Sequence, residues 1–313
     1  MSDLGLNSGV SPKFTGPIRA LGERSQRLRN FLMEFALSPI AVVGGGILIL
    51  LLLIAIFAPW IAPQNPYDLA SLSILDARLP PGSKSYDGYT HWLGTDGVGR
   101  DLLSAIMYGL RISLSVGVVS SLFALMIGMF VGLFAAYTGG RTENIIMRIV
   151  DLQMSFPAIL IALILLAILG RGAEKTMIAL IAVQWAYYAR TVRASALVER
   201  EREYIEAARG QRLGHFRIVS RHLLPNCFAP LLVVLTVQVA HAITLEATLS
   251  FLGIGLPETQ PSLGLLIANG YQYLLSGSYW ISIFPGVALL ITILSINLVG
   301  DRLRELLNPG MRR

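Results

Sequence analysis

The side chains of this chain that could do chemistry are a few ionisable residues set in apolar or glycine-rich stretches. His241 and Glu246 both lie in a long apolar segment. A charged side chain at the centre of a bilayer costs on the order of 2.5–3.5 kcal/mol, so such residues are rare in membrane helices and often functional. Their spacing does not place them on one helix face, so a direct pair is not expected. Glu246 would either hydrogen-bond to a neighbouring helix, reach the outer interface, or line a path for a polar solute together with His241.

Two further sets of ionisable side chains lie outside that segment. Asp96, Arg100 and Asp101 share a glycine-rich stretch, where they could form a self-satisfied turn with Arg100 paired to an aspartate, or a rigid rim at the outer mouth of a pathway. Asp151 follows Arg148 by about one helical turn, and we expect these two side chains to form an ion pair.

Patterns typical of enzymes and metal sites are missing from the sequence. None of its lysines follows a G-x-x-x-x-G run, and H-E-x-x-H and G-x-S-x-G are absent. Its histidines fall in different compartments under the topology given below, and Cys227 is the single cysteine, which we expect to be a buried small residue. We therefore predict no catalytic residue and no metal site, and we do not expect the chain to be an ATPase.

Composition indicates that these residues are carried by membrane helices. Mean hydropathy is +0.63, with 54% hydrophobic and 14% charged residues, which leaves too little polar surface for a soluble globule of this length. The net charge of +6 is spread between apolar runs, so we expect contact with membrane lipid and not with nucleic acid. Runs long enough to cross a bilayer predict six spans. They are 40–58, 112–137, 149–169, 177–197, 231–251 and 280–299.

The positions of lysine and arginine predict the orientation of these spans, because positive loops stay in the cytoplasm. Both termini and the segment 190–226 are then cytoplasmic, and the first span is a retained signal anchor. We divide the chain into a cytoplasmic tail (1–38), a first membrane helix with an extracytoplasmic loop (39–110) and a five-helix core (111–313).

The segment 190–226 is the one long charged stretch between apolar runs. Leu213, Phe216, Val219 and Leu223 recur at helical spacing, and Pro225 is expected to end this piece and begin the next span. A short amphipathic helix of this kind could dock into a groove on a cytosolic partner or lie on the anionic inner leaflet.

The residues of this segment resemble the cytoplasmic EAA loop of ABC importer permeases. The matching residues are Glu206-Ala207-Ala208 followed by Leu223-Leu224-Pro225. Four further stretches resemble the branch of that family that carries dipeptides, oligopeptides and, in one subgroup, nickel. They are HWLGTD with GRD in 91–101, DxxxSFP in 151–157, LSFLG with PSLG in 249–264, and NLVGDRLR in 297–304.

The resemblance implies that a coupling loop at 198–226 receives the motion of an ATPase subunit. The residues that it assigns to this role are Glu206, Ala207, Ala208, Gly214, Arg217, Arg221 and Pro225. The chain departs from the family at Arg212, where glycine is usual. Because arginine resists a positive φ, we expect Gly210 or Gly214 to supply the turn.

The resemblance also implies a fold and partners. It indicates an all-α integral membrane protein of the bacterial inner membrane, with six transmembrane helices and the type I ABC importer permease fold. The chain would form half of a peptide pathway with a second permease subunit, two cytosolic ATP-binding subunits and an extracytoplasmic substrate-binding protein. ATP would be used by the partner subunits, and this chain would bind no cofactor. Nickel or another small solute is an alternative cargo, and a self-sufficient secondary transporter is an alternative from another class.

Overall fold

The computed structural model describes residues 26, 29–30, 33–68, 72–86 and 88–307. Most of the predicted tail 1–38 therefore lies outside the described residues. The helices are α1 (Pro39–Ile61), α2 (Leu102–Thr138), α3 (Gly140–Ser155), α4 (Ala158–Leu169), α5 (Ala173–Arg200), α6 (Glu203–Gly210), α7 (His215–Ile218), α8 (Leu224–Phe251), α9 (Leu263–Tyr271) and α10 (Trp280–Leu307). A wide π-type turn (Val219–Leu223) joins α7 to α8, and two short strands, β1 (Ser83–Lys84) and β2 (Thr90–His91), pair antiparallel with Ser83 opposite His91.

The helix boundaries follow from local chemistry. Ser38 Oγ accepts a hydrogen bond from the Ala41 amide at 3.4 Å at the start of α1, as an N-cap side chain does. Asp101 caps α2 in the same way through the Ser104 amide at 2.9 Å. This helix therefore begins at Leu102, well before the predicted start at residue 112, because the sequence pattern showed the apolar run but not the cap. At 37 residues it is about 55 Å long.

The predicted third span, 149–169, is wrong as a single helix. It divides between α3 and α4, whose axes differ by 90°. Phe156 is extended, with φ −94° and ψ 142°. The cause is Pro157, which has no amide hydrogen to donate and forces the residue before it out of the helical region.

Four helical stretches within the described residues are long and apolar enough to cross a membrane: Pro39–Ile61, Leu102–Thr138, His215–Phe251 and Trp280–Leu307. The bent pair formed by α3 and α4 makes a fifth if it counts as one span. The helix α5 has 28 residues but a lower apolar content. Its position explains this difference, because it packs against α2, α3, α4 and α8 and needs less apolar surface than a lipid-facing helix. The predicted number of six spans and the cytoplasmic termini stay predictions.

The helices α2 and α5 pack closely together. A Cβ added to Gly128 would lie 2.4 Å from the Trp185 carbonyl oxygen, and one added to Gly132 would lie 2.5 Å from that of Ala189. These two glycines, four residues apart on α2, therefore bring two helix backbones together. Nearby, Ser121 on α2 donates to Gln184 Oε1 on α5 at 3.1 Å. These contacts make α2 and α5 the centre of the core.

We predict that Gly128→Ala destabilises the protein by about 1–3 kcal/mol, because the added methyl group overlaps backbone atoms that cannot move aside. Thermal unfolding of the purified protein in mild detergent measures this effect. Gly46→Ala is the matched control, since a Cβ added there would meet nothing within 4 Å, and it should leave the midpoint unchanged or raise it. Equal midpoints for the two variants would contradict the packing described here.

Candidate functional site

The charged segment between α5 and α8 is held at both of its ends by one tyrosine. The Tyr204 hydroxyl donates to Glu199 Oε2 at 2.6 Å and accepts from Asn226 Nδ2 at 2.7 Å. Burial raises the pKa of Tyr204, and the adjacent Glu199 carboxylate raises it further. The phenol therefore keeps its proton and remains a donor at neutral pH. These bonds tie the start of the segment to its end.

The inner face of this segment is part of the hydrophobic core. Four of its apolar side chains are buried: Ile205 and Ala208 of α6, Ile218 of α7 and Leu223 of the wide turn. They pack with side chains of α2, α5 and α8. The partners include Leu133, Ala136, Val192, Ala196 and Leu231. Since apolar contacts fix the segment to three long helices, it should move with them as one unit.

The outer face of the segment is exposed and polar. Most residues that the family resemblance singled out lie here: Glu206, Ala207, Gly214, Arg217, Arg221 and Pro225 are exposed, whereas Ala208 is buried. A helix resting on a lipid leaflet would bury its apolar face in the lipid. Here that face is buried in protein, which favours the interpretation as a docking surface for a cytosolic partner.

Phe216 departs from the predicted apolar face and is 85% exposed. Leu223 is buried as predicted, and Leu213 and Val219 are partly buried. The helical period fails because α7 is a single turn and the residues after it form a π-type turn, which shifts the angular position of each later side chain. An exposed aromatic ring beside charged residues is typical of a protein contact surface.

The turn after α6 is made by Arg212, and the prediction that Gly210 or Gly214 makes it was wrong. Arg212 has φ +53°, whereas Gly214 has φ −59°. The Leu213 amide donates to the Ala208 carbonyl at 3.2 Å, which is the long hydrogen bond of a Schellman helix end. The residue before that donor takes the left-handed conformation in this motif, whatever its type.

Ion pairs of α5 hold α3 in place. Asp151 pairs with Arg190, so the predicted pair with Arg148 was wrong. The cause is tertiary, because α5 brings a second arginine to Asp151 from outside its own helix. Arg193 Nε donates to Glu143 Oε1 at 2.7 Å, which adds a second link between these two helices.

The Asp96–Asp101 stretch folds into a buried turn directly before the first residue of α2. Asp96 Oδ2 accepts from Arg100 Nε at 2.7 Å, and its Oδ1 accepts from the Val98 and Arg100 amides at 3.0 and 2.9 Å. Arg100 Nη1 also donates to the Glu258 carbonyl at 3.2 Å. The self-satisfied turn is therefore present, and its arginine ties it to the loop between α8 and α9. A role as the outer rim of a pathway stays a prediction.

Asp101 connects this turn to a residue that sequence reasoning did not place in the site. Its Oδ1 lies 3.0 Å from His91 Nδ1, and its Oδ2 accepts from the Ser104 hydroxyl at 2.6 Å. Both members of the His91–Asp101 pair are buried. The Trp280 indole donates to the Thr95 carbonyl at 3.3 Å, which connects the start of α10 to the same turn. The position of His91 at the head of the HWLGTD run was the available signal.

Glu246 is fully buried and serves as an acceptor between helices. It accepts from the Ser113 hydroxyl on α2 and the Ser250 hydroxyl on α8, each at 2.8 Å. Ser113 in turn accepts from the Leu263 amide of α9 at 3.4 Å. His241 is partly buried, and its Nδ1 has no hydrogen-bond partner within the described part of the chain. The hydrogen-bonding alternative for Glu246 is thus confirmed, and the lining of a pathway by these two residues stays a prediction.

A groove of about 700 Å³ lies between α5, α8 and α10. Its walls combine apolar side chains with Tyr187, Thr191, Gln238 and two arginines, Arg190 and Arg304. The Gln238 Nε2 is buried and has no partner within the described ranges. Sequence reasoning did not identify this groove, because its lining comes from four separate helices: α5, α8, α10 and, through Met154, α3.

Comparison with known families decides which protein class carries this geometry. Residues 124–313 match the family described as binding-protein-dependent transport system inner membrane component. The chain belongs to this family of binding-protein-dependent permeases. Residues 26–81 match the N-terminal TM domain of oligopeptide transport permease C.

Individual relatives of this permease agree with the family match. It is 42% identical over 270 residues to a putative peptide transport system permease protein of Brucella suis, covering 86% of this chain and 88% of the relative. It is 41% identical over 287 residues to the dipeptide transport system permease protein DppC of Escherichia coli K12, covering 91% and 94%. The di/tripeptide transport system permease protein DppC of Pseudomonas aeruginosa is 38% identical over 288 residues, with 91% and 93% covered.

A solved structure shows the same fold. The inward-facing MetNI methionine ABC transporter matches with a TM-score of 0.55 and 24% identity, covering 66% of this permease and 98% of that chain. The permease is therefore an all-α multi-pass protein of the bacterial inner membrane with the type I importer fold. It is the membrane subunit of an ABC transport system, and that implies an ATPase and a binding protein as partners.

We predict that Arg212→Gly slows hydrogen exchange at the Leu213 amide by about fivefold, because glycine removes roughly 1 kcal/mol of left-handed strain. Hydrogen exchange with mass spectrometry on the purified permease measures it. Gln211→Gly is the control and should speed exchange, since it loosens the helix end without relieving strain. Faster exchange in Arg212→Gly would show that the arginine side chain itself stabilises the turn.

We predict that Asp96→Asn destabilises the permease by about 3–5 kcal/mol, because it leaves the Arg100 guanidinium buried without a counter-charge. The same substitution at Asp151 should cost about 0–1 kcal/mol, because that ion pair is solvent-exposed. Thermal midpoints of both variants in one detergent give the comparison. Similar midpoints would mean that the Asp96–Asp101 turn is held by its backbone bonds alone.

Proposed function

We propose that this chain is the membrane subunit of an ATP-driven importer of di- or oligopeptides and forms half of its translocation pathway. The other components are a second permease, two cytosolic ATP-binding subunits and an extracytoplasmic binding protein. ATP is bound and hydrolysed by the partners, and this chain binds no cofactor. The relatives named for dipeptide and di/tripeptide transport support peptides as the cargo.

The observation that carries this proposal is the two-faced segment of residues 203–226. Its inner face is part of the core made with α2, α5 and α8, and its outer face presents Glu206, Arg217 and Arg221 to the solvent. A rigid segment of this kind can take up a push from an ATPase and pass it to the long helices without deforming. Exposed charges of both signs give the contact its register.

The groove between α5, α8 and α10 is a candidate for this chain's half of the translocation pathway. It borders α5 and α8, and both of these helices are fixed to the 203–226 segment. Its polar groups can replace some of the hydration of a peptide, since amide, hydroxyl and guanidinium groups hydrogen-bond to peptide carbonyl and carboxylate groups. A movement of the segment then shifts the α5 and α8 walls of the groove together against α10.

We predict that Glu206→Ala combined with Arg217→Ala weakens ATPase binding and lowers uptake by roughly fivefold or more, the effect of truncating contacts worth 1 kcal/mol or more. The permease is purified with its genomic neighbours in mild detergent. The recovered ATPase is quantified by mass spectrometry, and uptake of a labelled dipeptide is measured in cells. Both substituted side chains are exposed, so the fold should survive.

Arg141→Ala combined with Glu305→Ala is the matched control, because both side chains are exposed on other helices and the same two charges are removed. Full ATPase recovery and uptake in the Glu206/Arg217 variant would disprove the coupling role. Normal ATPase recovery in the unmodified complex without dipeptide uptake would instead disprove only the choice of cargo.

A further inference from the structure

A second groove of about 460 Å³ lies between α1 and α2, away from the groove described above. Leu52 and Ile56 of α1 and Leu114 and Val118 of α2 form its walls. Trp60 and Arg111 lie at one end of it. Its α1 side belongs to a helix that exposes apolar residues along much of its length. The groove therefore opens towards the region that lipid chains occupy around a membrane helix.

Arg111 is an exposed cation at the end of this apolar groove. No carboxylate lies within ion-pair distance of it, and it makes no hydrogen bond, in the ranges that the structure describes. Burial raises the pKa of the nearby Tyr67 phenol, and the positive charge of Arg111 partly lowers it again. Arginine keeps its charge at any ordinary pH. The groove thus offers a fixed positive charge that no side chain of the described regions neutralises.

The depth of the groove can be inferred from α1. Trp60 is 77% exposed and lies at the last turn of this helix, and tryptophan concentrates at the membrane–water interface. Leu52 lies about 12 Å farther along α1 towards the middle of the membrane, at 1.5 Å per residue. On α2, Val119 lies at a similar distance from Arg111 in the chain. One end of the groove is therefore at the level of lipid headgroups and the other is within the hydrocarbon.

We propose that this groove binds a phospholipid of the leaflet in which Trp60 and Arg111 lie. The lipid phosphate contacts the Arg111 guanidinium, and one acyl chain lies along the groove past Ile56 and Val118. A planar guanidinium can donate two parallel hydrogen bonds to phosphate oxygens, and a headgroup with a net negative charge is preferred because Arg111 has no other counter-charge. The lipid would fill the space between α1 and α2 and hold α1 against the core.

A helix of a neighbouring protein is the competing occupant. It would need an acidic group at interfacial depth to meet Arg111 and large apolar side chains to fill the groove. A phospholipid supplies both features in one molecule and is present at high concentration around every membrane helix. The combination of a single interfacial cation with a narrow apolar groove therefore favours the lipid.

Native mass spectrometry of the purified transporter complex tests the proposal. The complex is delipidated in mild detergent and titrated with dioleoyl phosphatidylglycerol, and the number of bound lipids is counted for each variant. Arg111→Gln should lower occupancy at the tightest site at least fivefold relative to the unmodified complex. Arg148→Gln is the matched control, because it removes another exposed arginine, on α3, and should leave that occupancy unchanged.

A second variant tests the apolar part of the groove while Arg111 is kept. Ser115 lines the groove and is exposed, so Ser115→Trp should fill it without disturbing the core and should also lower lipid occupancy. A photo-reactive side chain at position 115 should yield a lipid adduct in membranes. Equal lipid occupancy in Arg111→Gln and the unmodified complex, or a protein adduct at position 115, would overturn the proposal.

Discussion

The close contact between α2 and α5 is the constraint on which the rest of the structure depends. Gly128 and Gly132 let two helix backbones approach until a methyl group no longer fits between them. Van der Waals contact and interhelical hydrogen bonds, more than hydrophobic burial, hold membrane helices together. The hydrogen bond from Ser121 to Gln184 continues that contact along the same pair of helices.

This pair of helices links the two ends of the molecule. The first residue of α2 follows the buried turn of Asp96 and Asp101, and at its other end Tyr137 contacts His215 of the 203–226 segment. The helix α5 joins the same segment through Glu199 and Tyr204. A displacement of the segment would therefore pass along rigid helices to the Asp96–Asp101 turn, since regular helices bend little without a proline or a bulge.

Sequence patterns identified the contacts that depend on short spacing. The Asp96–Arg100 turn and the helix start near Pro225 both involve residues a few positions apart. Tertiary structure decided the others. Asp151 pairs with an arginine on α5. Phe216 does not share a face with Leu223, because the wide turn Val219–Leu223 breaks the helical period after it. Arg212 adopted a conformation disfavoured for its type because the helix end and the packing of Leu213 require it.

The modest apolar content of α5 has a consequence for how the protein is made. A segment that contains Gln184 and several charged residues enters a bilayer less readily than its neighbours, because each polar residue raises the free energy of insertion. The helix α2, whose glycines contact α5, precedes it in the chain and so leaves the ribosome first, whereas α8 follows. We therefore expect the integration of α5 into the membrane to depend on α2 being present already, so that the helix at the centre of the finished protein needs its neighbour during synthesis.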